Sequence, residues 1–182
     1  MNPNPKFRLQ GLLLASLVFI ADQIVKFAML GPLQLNERGV IHIVSFFDLR
    51  YAENRGVSMS FLTADSDGER WALVALTTVI AVGVGVWMWR EKLRGDVLAL
   101  SLVLGGALGN IVDRTRYGYV VDYADLHFGA FRPFYIFNLA DACISIGVLI
   151  LLARSFLIGD KETDRGPDVQ EPASKADIVE KS

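Results

Sequence analysis

Four long apolar runs constrain the fold of this chain more than any other feature of its sequence. They cover residues 11–30, 71–89, 97–112 and 137–158. A helix rises about 1.5 Å per residue, so about 20 residues cross the roughly 30 Å hydrocarbon core of a bilayer. The runs therefore predict four transmembrane helices within one membrane domain, residues 1–158.

The composition agrees with a membrane protein and argues against several other classes. Hydrophobic residues make up 52% of the chain and the mean hydropathy is +0.37, which is more apolar than a soluble domain needs. The net charge is -2 without a basic stripe, so nucleic acid is not an expected partner. Cys143 is the only cysteine, and its apolar surroundings favour a packing role. His42 and His127 have no cysteine partners at ligand spacing, so no metal or other cofactor is predicted.

The first apolar run begins like a signal peptide, because Lys6 and Arg8 precede an apolar core. Its length, its two charged residues and the Gly-Pro ending at 31–32 favour a retained membrane helix. Asp22 and Lys26 are four positions apart, so they share a helix face and can pair. The pair is open to two interpretations, a snorkelling pair near the interface or a polar face turned toward a site.

Residues 33–64 do not form a span. Residues 40–51 are rich in β-branched and aromatic side chains, residues 53–56 have turn chemistry, and residues 57–62 suit a returning strand. This pattern predicts a small sheet at the membrane surface. Asn54 on its own is most simply a turn residue.

The third run combines a packing motif with polar residues. Gly105 and Gly109 have the small-xxx-small spacing that favours close helix packing. The run ends in Asn110, Asp113 and Arg114, and the arginine is able to steady Asp113, another acid or a lipid phosphate.

Two further segments flank the last span. Residues 115–137 are dense in aromatic side chains and contain Pro133, which predicts an element in the headgroup zone. Asp125 is expected there as a solvated loop acid. Residues 159–182 are charged and lack an apolar face, so they predict a disordered tail.

The lysines predict the orientation. Apart from Lys26, every lysine falls on the side of the two termini and of the turn at 90–96, whereas arginines occur on both sides. Basic residues favour the cytoplasmic side. Both termini are therefore expected in the cytosol, with Asp122 and Asp141 at the outer, periplasmic face.

Asp122 and Asp141 are the candidate chemical groups. Carboxylates where a bilayer meets water are functional candidates, and two acids held together share a proton and can activate water. The ordinary alternatives are a helix-start acid for Asp141 and a loop acid for Asp122. What favours a site is a set of polar side chains expected on the same side, namely Asn54, Asn110, Asn138 and Arg114.

With these motifs in order, the sequence resembles the lipoprotein signal peptidase (signal peptidase II) family over roughly residues 11–158. The motifs are ADQIVK at 21–26, NRG at 54–56, GALGNIVDR at 106–114, VD at 121–122 and FNLAD at 137–141. The resemblance implies that Asp122 and Asp141 are a catalytic aspartyl dyad. It implies supporting or substrate-binding roles for Asp22, Lys26, Asn54, Gly56, Asn110, Arg114 and Asn138.

The resemblance also implies an activity and a fold. The activity is that of a metal-free aspartic endopeptidase of the bacterial inner membrane, which cuts the signal peptide from a prolipoprotein just before a diacylglyceryl-modified cysteine. The fold is a four-helix membrane bundle with a small extracytoplasmic β-sheet (β-cradle) and a short interfacial helix. The expected partners are prolipoproteins and membrane lipids, and the expected state is a monomer.

Two other classes compete with this hypothesis. Asp22, Lys26 and Asp141 are also residues that a proton or ion pathway uses, although no inverted repeat is visible. A structural membrane scaffold leaves the polar set unexplained.

Overall fold

The structure is a computed structural model that describes residues 4–56 and 67–163, with side chains described for 4–56 and 68–157. The elements in chain order are α1 (Pro5–Leu30), α2 (Leu35–Arg38), β1 (Val40–Val44), β2 (Phe47–Asn54), α3 (Asp67–Arg90), α4 (Arg94–Tyr117), β3 (Val120–Leu126) and α5 (Leu139–Thr163). Within the described residues, α1, α3, α4 and α5 are long and apolar enough to span a membrane.

All four of these helices extend beyond their apolar runs at one end or both. α1 begins at Pro5 because the Asn4 side chain caps it, accepting the Lys6 N–H at 3.0 Å, and proline is favoured in a first turn. α5 continues to Thr163, so the segment predicted as a tail from residue 159 starts as helix. Residues 164–182 lie outside the described part of the chain.

α4 is the central helix and contacts α1, α3 and α5. Its glycines allow the close approach, since a Cβ at Gly105 would lie 2.5 Å from the Ala15 carbonyl oxygen of α1. A Cβ at Gly106 would lie 2.5 Å from the Ala140 carbonyl oxygen of α5. The predicted packing role of Gly105 is confirmed. The outer faces of the other three helices expose large apolar side chains such as Leu13, Val79, Leu149 and Phe156, as a lipid-facing surface requires.

The described residues contain one three-stranded antiparallel sheet in the order β1-β2-β3. Residues 40–51, predicted as one extended run, break into a hairpin between Val44 and Phe47. β3 was not predicted as a strand, because all but its last residue are buried and the alternation that marks a half-exposed strand is missing. The returning strand predicted at 57–62 falls outside the described residues, and β3 pairs with β2.

The sheet is attached to the end of the bundle where α1 ends. Met29 and Leu35 form a buried cluster with Tyr123 and Ala124 of β3. The segment from β3 to α5 is tied back to the strand, since Ala124 and Phe137 exchange backbone hydrogen bonds of 2.7 and 3.1 Å. The start of α5 is thereby held beside β3. The same segment exposes four aromatic side chains, those of Phe128, Phe131, Phe134 and Tyr135.

Candidate active site

Asn138 brings the two candidate acids together. Asp122 lies on β3 opposite Ala52 of β2, and Asp141 lies in the first turn of α5. The buried Asn138 side chain donates to Asp122 Oδ1 at 2.6 Å and accepts the Asp141 N–H at 2.9 Å. Asp141 Oδ2 in turn accepts the Asn138 N–H at 3.3 Å, a reciprocal arrangement like a capping box. One residue therefore caps the start of the helix and contacts both carboxyl groups, that of Asp122 through its side-chain amide and that of Asp141 through its backbone N–H.

Asn110 of α4 links the acids to the interior of the bundle. Its Nδ2 donates to Asp141 Oδ1 at 2.8 Å. Its Oδ1 accepts from Lys26 Nζ at 3.2 Å and from Asn138 Nδ2 at 3.3 Å. The asparagine thus satisfies both its donor and its acceptor within the site.

Lys26 is buried in the bundle beside the candidate site and does not snorkel. Its Nζ lies 2.9 Å from Asp22 Oδ2 and 2.7 Å from Asp113 Oδ2. The side chains of Lys26 and both acids are buried, and buried charges are tolerated only when they are paired. The interpretation as a snorkelling pair is therefore wrong, since this polar face of α1 points into the bundle. Asp113, for which Arg114 was a candidate partner, pairs with Lys26.

The environment of Asp122 favours a bound proton. Burial raises the pKa of Asp122 from 3.8 to about 7, and the negative charge of Asp141 adds to the effect. Hydrogen bonds from Asn54 and Asn138 oppose the rise. A carboxyl group that titrates near neutral pH is suited to acid-base chemistry.

Asn54 and Gly56 close the site at the end of β2. The Gly56 N–H donates to Asn54 Oδ1 at 3.1 Å, which is a side-chain turn. Gly56 has φ +97°, and a Cβ there would lie 2.6 Å from Leu73 Cδ1. The turn interpretation of Asn54 is confirmed, and the same side chain also hydrogen-bonds Asp122.

Arg114 provides positive charge beside the acids. Its guanidinium acts electrostatically on Asp113, Asp122 and Asp141. Among the described residues, its buried Nε has no hydrogen-bond partner. A buried donor without a partner is costly, so this side chain is available to a ligand.

Each acid opens into a separate cavity. A cavity of about 690 Å³ is lined by Ala52, Glu53, Asn54, Gly56, Arg114, Asp122, Tyr135 and Ile136. A cavity of about 260 Å³ is lined by Phe134, Tyr135, Phe137, Asp141, Ala142, Ser145 and Ile146. Tyr135, which is 97% exposed, borders both. The first cavity has charged and amide groups, whereas the second is mostly apolar.

The sequence-based interpretation of Asp125 is wrong, and Asp113 was named without being placed among the candidate site residues. Asp125 is not solvated, since it is buried on β3 with Arg50 Nε at 2.9 Å and Arg132 Nε at 3.2 Å. Both arginine contacts depend on the unpredicted strand. Asp113 lies three positions after Asn110 on α4, so the helical spacing was the available signal.

The histidines surround a different acid. His42 Nδ1 lies 2.9 Å from Asp48 Oδ1, and His127 Nε2 lies 3.2 Å from Asp48 Oδ2. Within residues 4–56 and 67–163, no group of three His, Cys, Asp or Glu side chains is arranged to hold a metal ion. Cys143 is half-buried in α5 and has no disulfide.

Comparison with known proteins identifies the family. A family model described as signal peptidase (SPase) II matches residues 14–157. The chain belongs to the signal peptidase II family. A lipoprotein signal peptidase of Rhizorhabdus wittichii is 56% identical over 169 residues, which are 93% of this chain and 94% of the relative. A lipoprotein signal peptidase of Sphingopyxis alaskensis is 55% identical over 161 residues, which are 87% of this chain and 93% of the relative.

Solved structures have the same fold. A bacterial membrane enzyme determined by the in meso method at 2.3 Å resolution aligns with a TM-score of 0.71 and 24% identity, over 93% of this chain and 98% of that chain. Another, at 1.9 Å resolution, aligns with a TM-score of 0.69 and 25% identity, over 84% and 94% of the two chains. The predicted family and fold class are confirmed. This signal peptidase II family member is a multi-pass membrane peptidase. Its family membership argues against the two competing hypotheses, an ion pathway and a structural scaffold.

Proposed function

We propose that this protein is an aspartic endopeptidase that removes the signal peptide from prolipoproteins, cutting just before a diacylglyceryl-modified cysteine. The observation that carries the proposal is that the Asn138 side chain hydrogen-bonds both Asp122 and Asp141. Family membership and relatives named lipoprotein signal peptidase support the substrate class. No cofactor is needed, because two carboxyl groups sharing a proton supply both the base and the acid.

The environments of the two acids support a division of roles. Asp122, with a pKa of about 7, holds the shared proton. Asp141 accepts N–H bonds from Asn110 and Asn138, which stabilise its negative charge. Asp141 takes a proton from water as the water oxygen bonds to the scissile carbonyl carbon, and Asp122 gives its proton to the carbonyl oxygen. The diol then collapses, Asp141 returns its proton to the departing amine, and Asp122 recovers its own.

The two cavities support a placement for the substrate. The peptide backbone lies in the larger cavity, where Asn54 and the Nε of Arg114 are able to bind its carbonyl groups. The acyl chains of the modified cysteine leave through the apolar cavity toward Ile146, which is 51% exposed. The scissile bond is thereby held between Asp122 and Asp141.

The remaining supporting residues act behind the acids. Asp22, Lys26 and Asn110 hold the dyad from the bundle, and Gly56 lets the turn after β2 close over the cavity. The set is complete within one chain, so we propose a monomer as the active form. The lysine distribution supports a bacterial inner-membrane location with cytosolic termini and the site at the periplasmic face.

Cleavage by purified protein in detergent tests the proposal. One precursor carries the diacylglyceryl group on its cysteine, and a matched precursor has an unmodified cysteine. We expect release of the signal peptide from the first precursor, with a new N-terminus at the modified cysteine by mass spectrometry. Equal cleavage of both precursors, or a cut elsewhere, would contradict the specificity. Activity that EDTA removes and one metal restores would contradict the aspartyl mechanism.

A further inference from the structure

The backbone just before each acid is tied to a second, buried carboxylate. The Val121 N–H, one position before Asp122, donates to Asp113 Oδ2 at 3.1 Å. The Ala140 N–H, one position before Asp141, donates to Asp22 Oδ1 at 3.1 Å. β3 is thereby attached to α4, and the start of α5 is attached to α1.

Two side chains of α1 join these carboxylates to each other. Lys26 Nζ lies 2.7 Å from Asp113 and 2.9 Å from Asp22. Gln23 Nε2 donates to Asp113 Oδ1 at 3.1 Å and to Asp22 Oδ2 at 3.3 Å. The two backbone anchors are therefore parts of one bridge, which consists of Asp22, Gln23, Lys26 and Asp113.

α4 leaves room for this bridge. A Cβ at Gly109 would collide with Asp22 Oδ2. This glycine was predicted to allow helix packing, and it makes room for the Asp22 carboxylate. Placing two acids and an amine in a buried position carries a desolvation cost of several kcal/mol per ion. A well-packed apolar cluster of the same volume would stabilise the bundle as well or better. Stability alone therefore does not account for the bridge.

We propose that Asp113 is a positioning residue for the catalytic pair, acting with Asp22 through Lys26 to set the spacing of Asp122 and Asp141. The inference rests on the proposed aspartic peptidase function. The bridge touches neither substrate nor the attacking water. It acts by hydrogen-bonding the backbone of β3 and of α5 to two carboxylates that both pair with Lys26.

The fold does not depend on the bridge alone. Ala124 and Phe137 join β3 to the segment before α5 by direct backbone hydrogen bonds. Variants of the bridge should therefore insert and fold while losing the exact placement of the acids. A displacement of about 1 Å at a reacting group is able to cost about 100-fold in rate.

Hydrogen exchange by mass spectrometry, on purified protein in detergent, tests the bridge without turnover. Asp113→Asn keeps an oxygen acceptor but loses the charge that strengthens the bond to Val121, so exchange should rise around residues 120–122 only. Asp22→Asn should raise exchange around residues 139–141 only. Lys26→Met should raise exchange at both places. A uniform rise throughout the bundle, or no change at either place, would overturn the proposal.

Kinetics of cleavage of the lipidated precursor provide a second test of the positioning role. Asp113→Asn should lower kcat about 10- to 100-fold with KM changed less than about twofold, because the bridge does not touch substrate. If Asp113→Asn fails to fold, Asp113→Glu keeps the charge and displaces the carboxylate, and it should show the same split between kcat and KM. An unchanged kcat in the folded variant would overturn the positioning role.

Asp96→Asn is the matched control. It removes the ion pair with Arg154, which joins α4 to α5 at the end of α4 opposite the bridge. It should lower the unfolding temperature while leaving kcat and the exchange at both anchors unchanged. Failure of the wild-type enzyme to cleave the precursor would contradict the proposed function. The hydrogen-exchange pattern tests the bridge independently, because it does not require turnover.

Discussion

Asp122 and Asp125 are buried acids three positions apart on β3, but their partners differ. Asp125 contacts the guanidinium groups of Arg50 and Arg132. Asp122 is surrounded by the amides of Asn54 and Asn138 and by a second acid, Asp141. Cations hold a carboxylate in its charged form, whereas burial beside another acid favours a bound proton.

Asp48, the register partner of Asp125 on β2, extends the comparison. Burial works to raise the pKa of Asp48, but the hydrogen bonds and charges of His42 and His127 outweigh it and lower the pKa. The pKa of Asp122 moves in the opposite direction. Arginine or histidine side chains thus contact Asp125 and Asp48 directly, whereas amides contact Asp122, and Lys26 and Arg114 act on it only through their charge.

The largest effect should come from removing either member of the pair. Asp122→Asn and Asp141→Asn keep the shape of the side chain but cannot transfer the proton, so kcat/KM should fall by about 100- to 10,000-fold. Cleavage of the lipidated precursor measures the loss, and the unfolding temperature shows that each variant is folded. Full activity in either variant would remove that residue from the dyad.

The pH profile sharpens the difference between the two kinds of acid. As pH rises through about 7, Asp122 loses the proton that the donor needs, so kcat/KM should fall about tenfold per pH unit. The mechanism also needs an ionised base, so kcat/KM should fall again toward acidic pH and the profile should be bell-shaped. A flat profile, with chemistry shown to be rate-limiting, would rule out a shared proton.

The free energy of unfolding should also depend on pH because of the raised pKa of Asp122. The pKa of Asp122 is raised in the folded state from 3.8 to about 7, so between these values the folded protein binds a proton that the unfolded chain does not. The stabilisation is complete below about pH 4 and is lost as pH rises through about 7. Asp122→Asn should flatten this part of the curve of unfolding temperature against pH. An unchanged slope would show that another group is responsible.

Asp125→Asn should have a moderate effect on stability and little effect on catalysis. It leaves two arginines without their acid, but both are partly exposed to solvent, so the expected loss is about 1–3 kcal/mol. Unfolding in detergent measures it, and kcat of the folded fraction should change little. A catalytically dead but stable variant would mean that Asp125 belongs to the chemistry.

The smallest effect should come from Cys143→Ala. The thiol is half-buried on α5 and no step of the proposed mechanism uses it. Cleavage should stay within about twofold of wild type, since removing a small packing group costs about 1 kcal/mol. A loss that neither Ser nor Val at this position restores would reopen a role for the thiol.

The sequence alone determined the parts of this protein that depend on local pattern. Apolar runs predict the spans, because crossing a bilayer needs a continuous apolar length. The spacing of Asp22 and Lys26 predicts their pairing, because side chains four apart meet on one helix face. The five motifs that carry the family resemblance include both members of the candidate dyad.

Only the tertiary structure decided the parts that depend on contacts between distant segments. β3 is a strand because it pairs with β2, about 70 positions earlier, and this pairing buries Asp125 between two arginines. Lys26 has a second acid, Asp113, because α1 packs on α4. Local pattern does not encode such neighbours, since burial and charge compensation depend on which elements pack together.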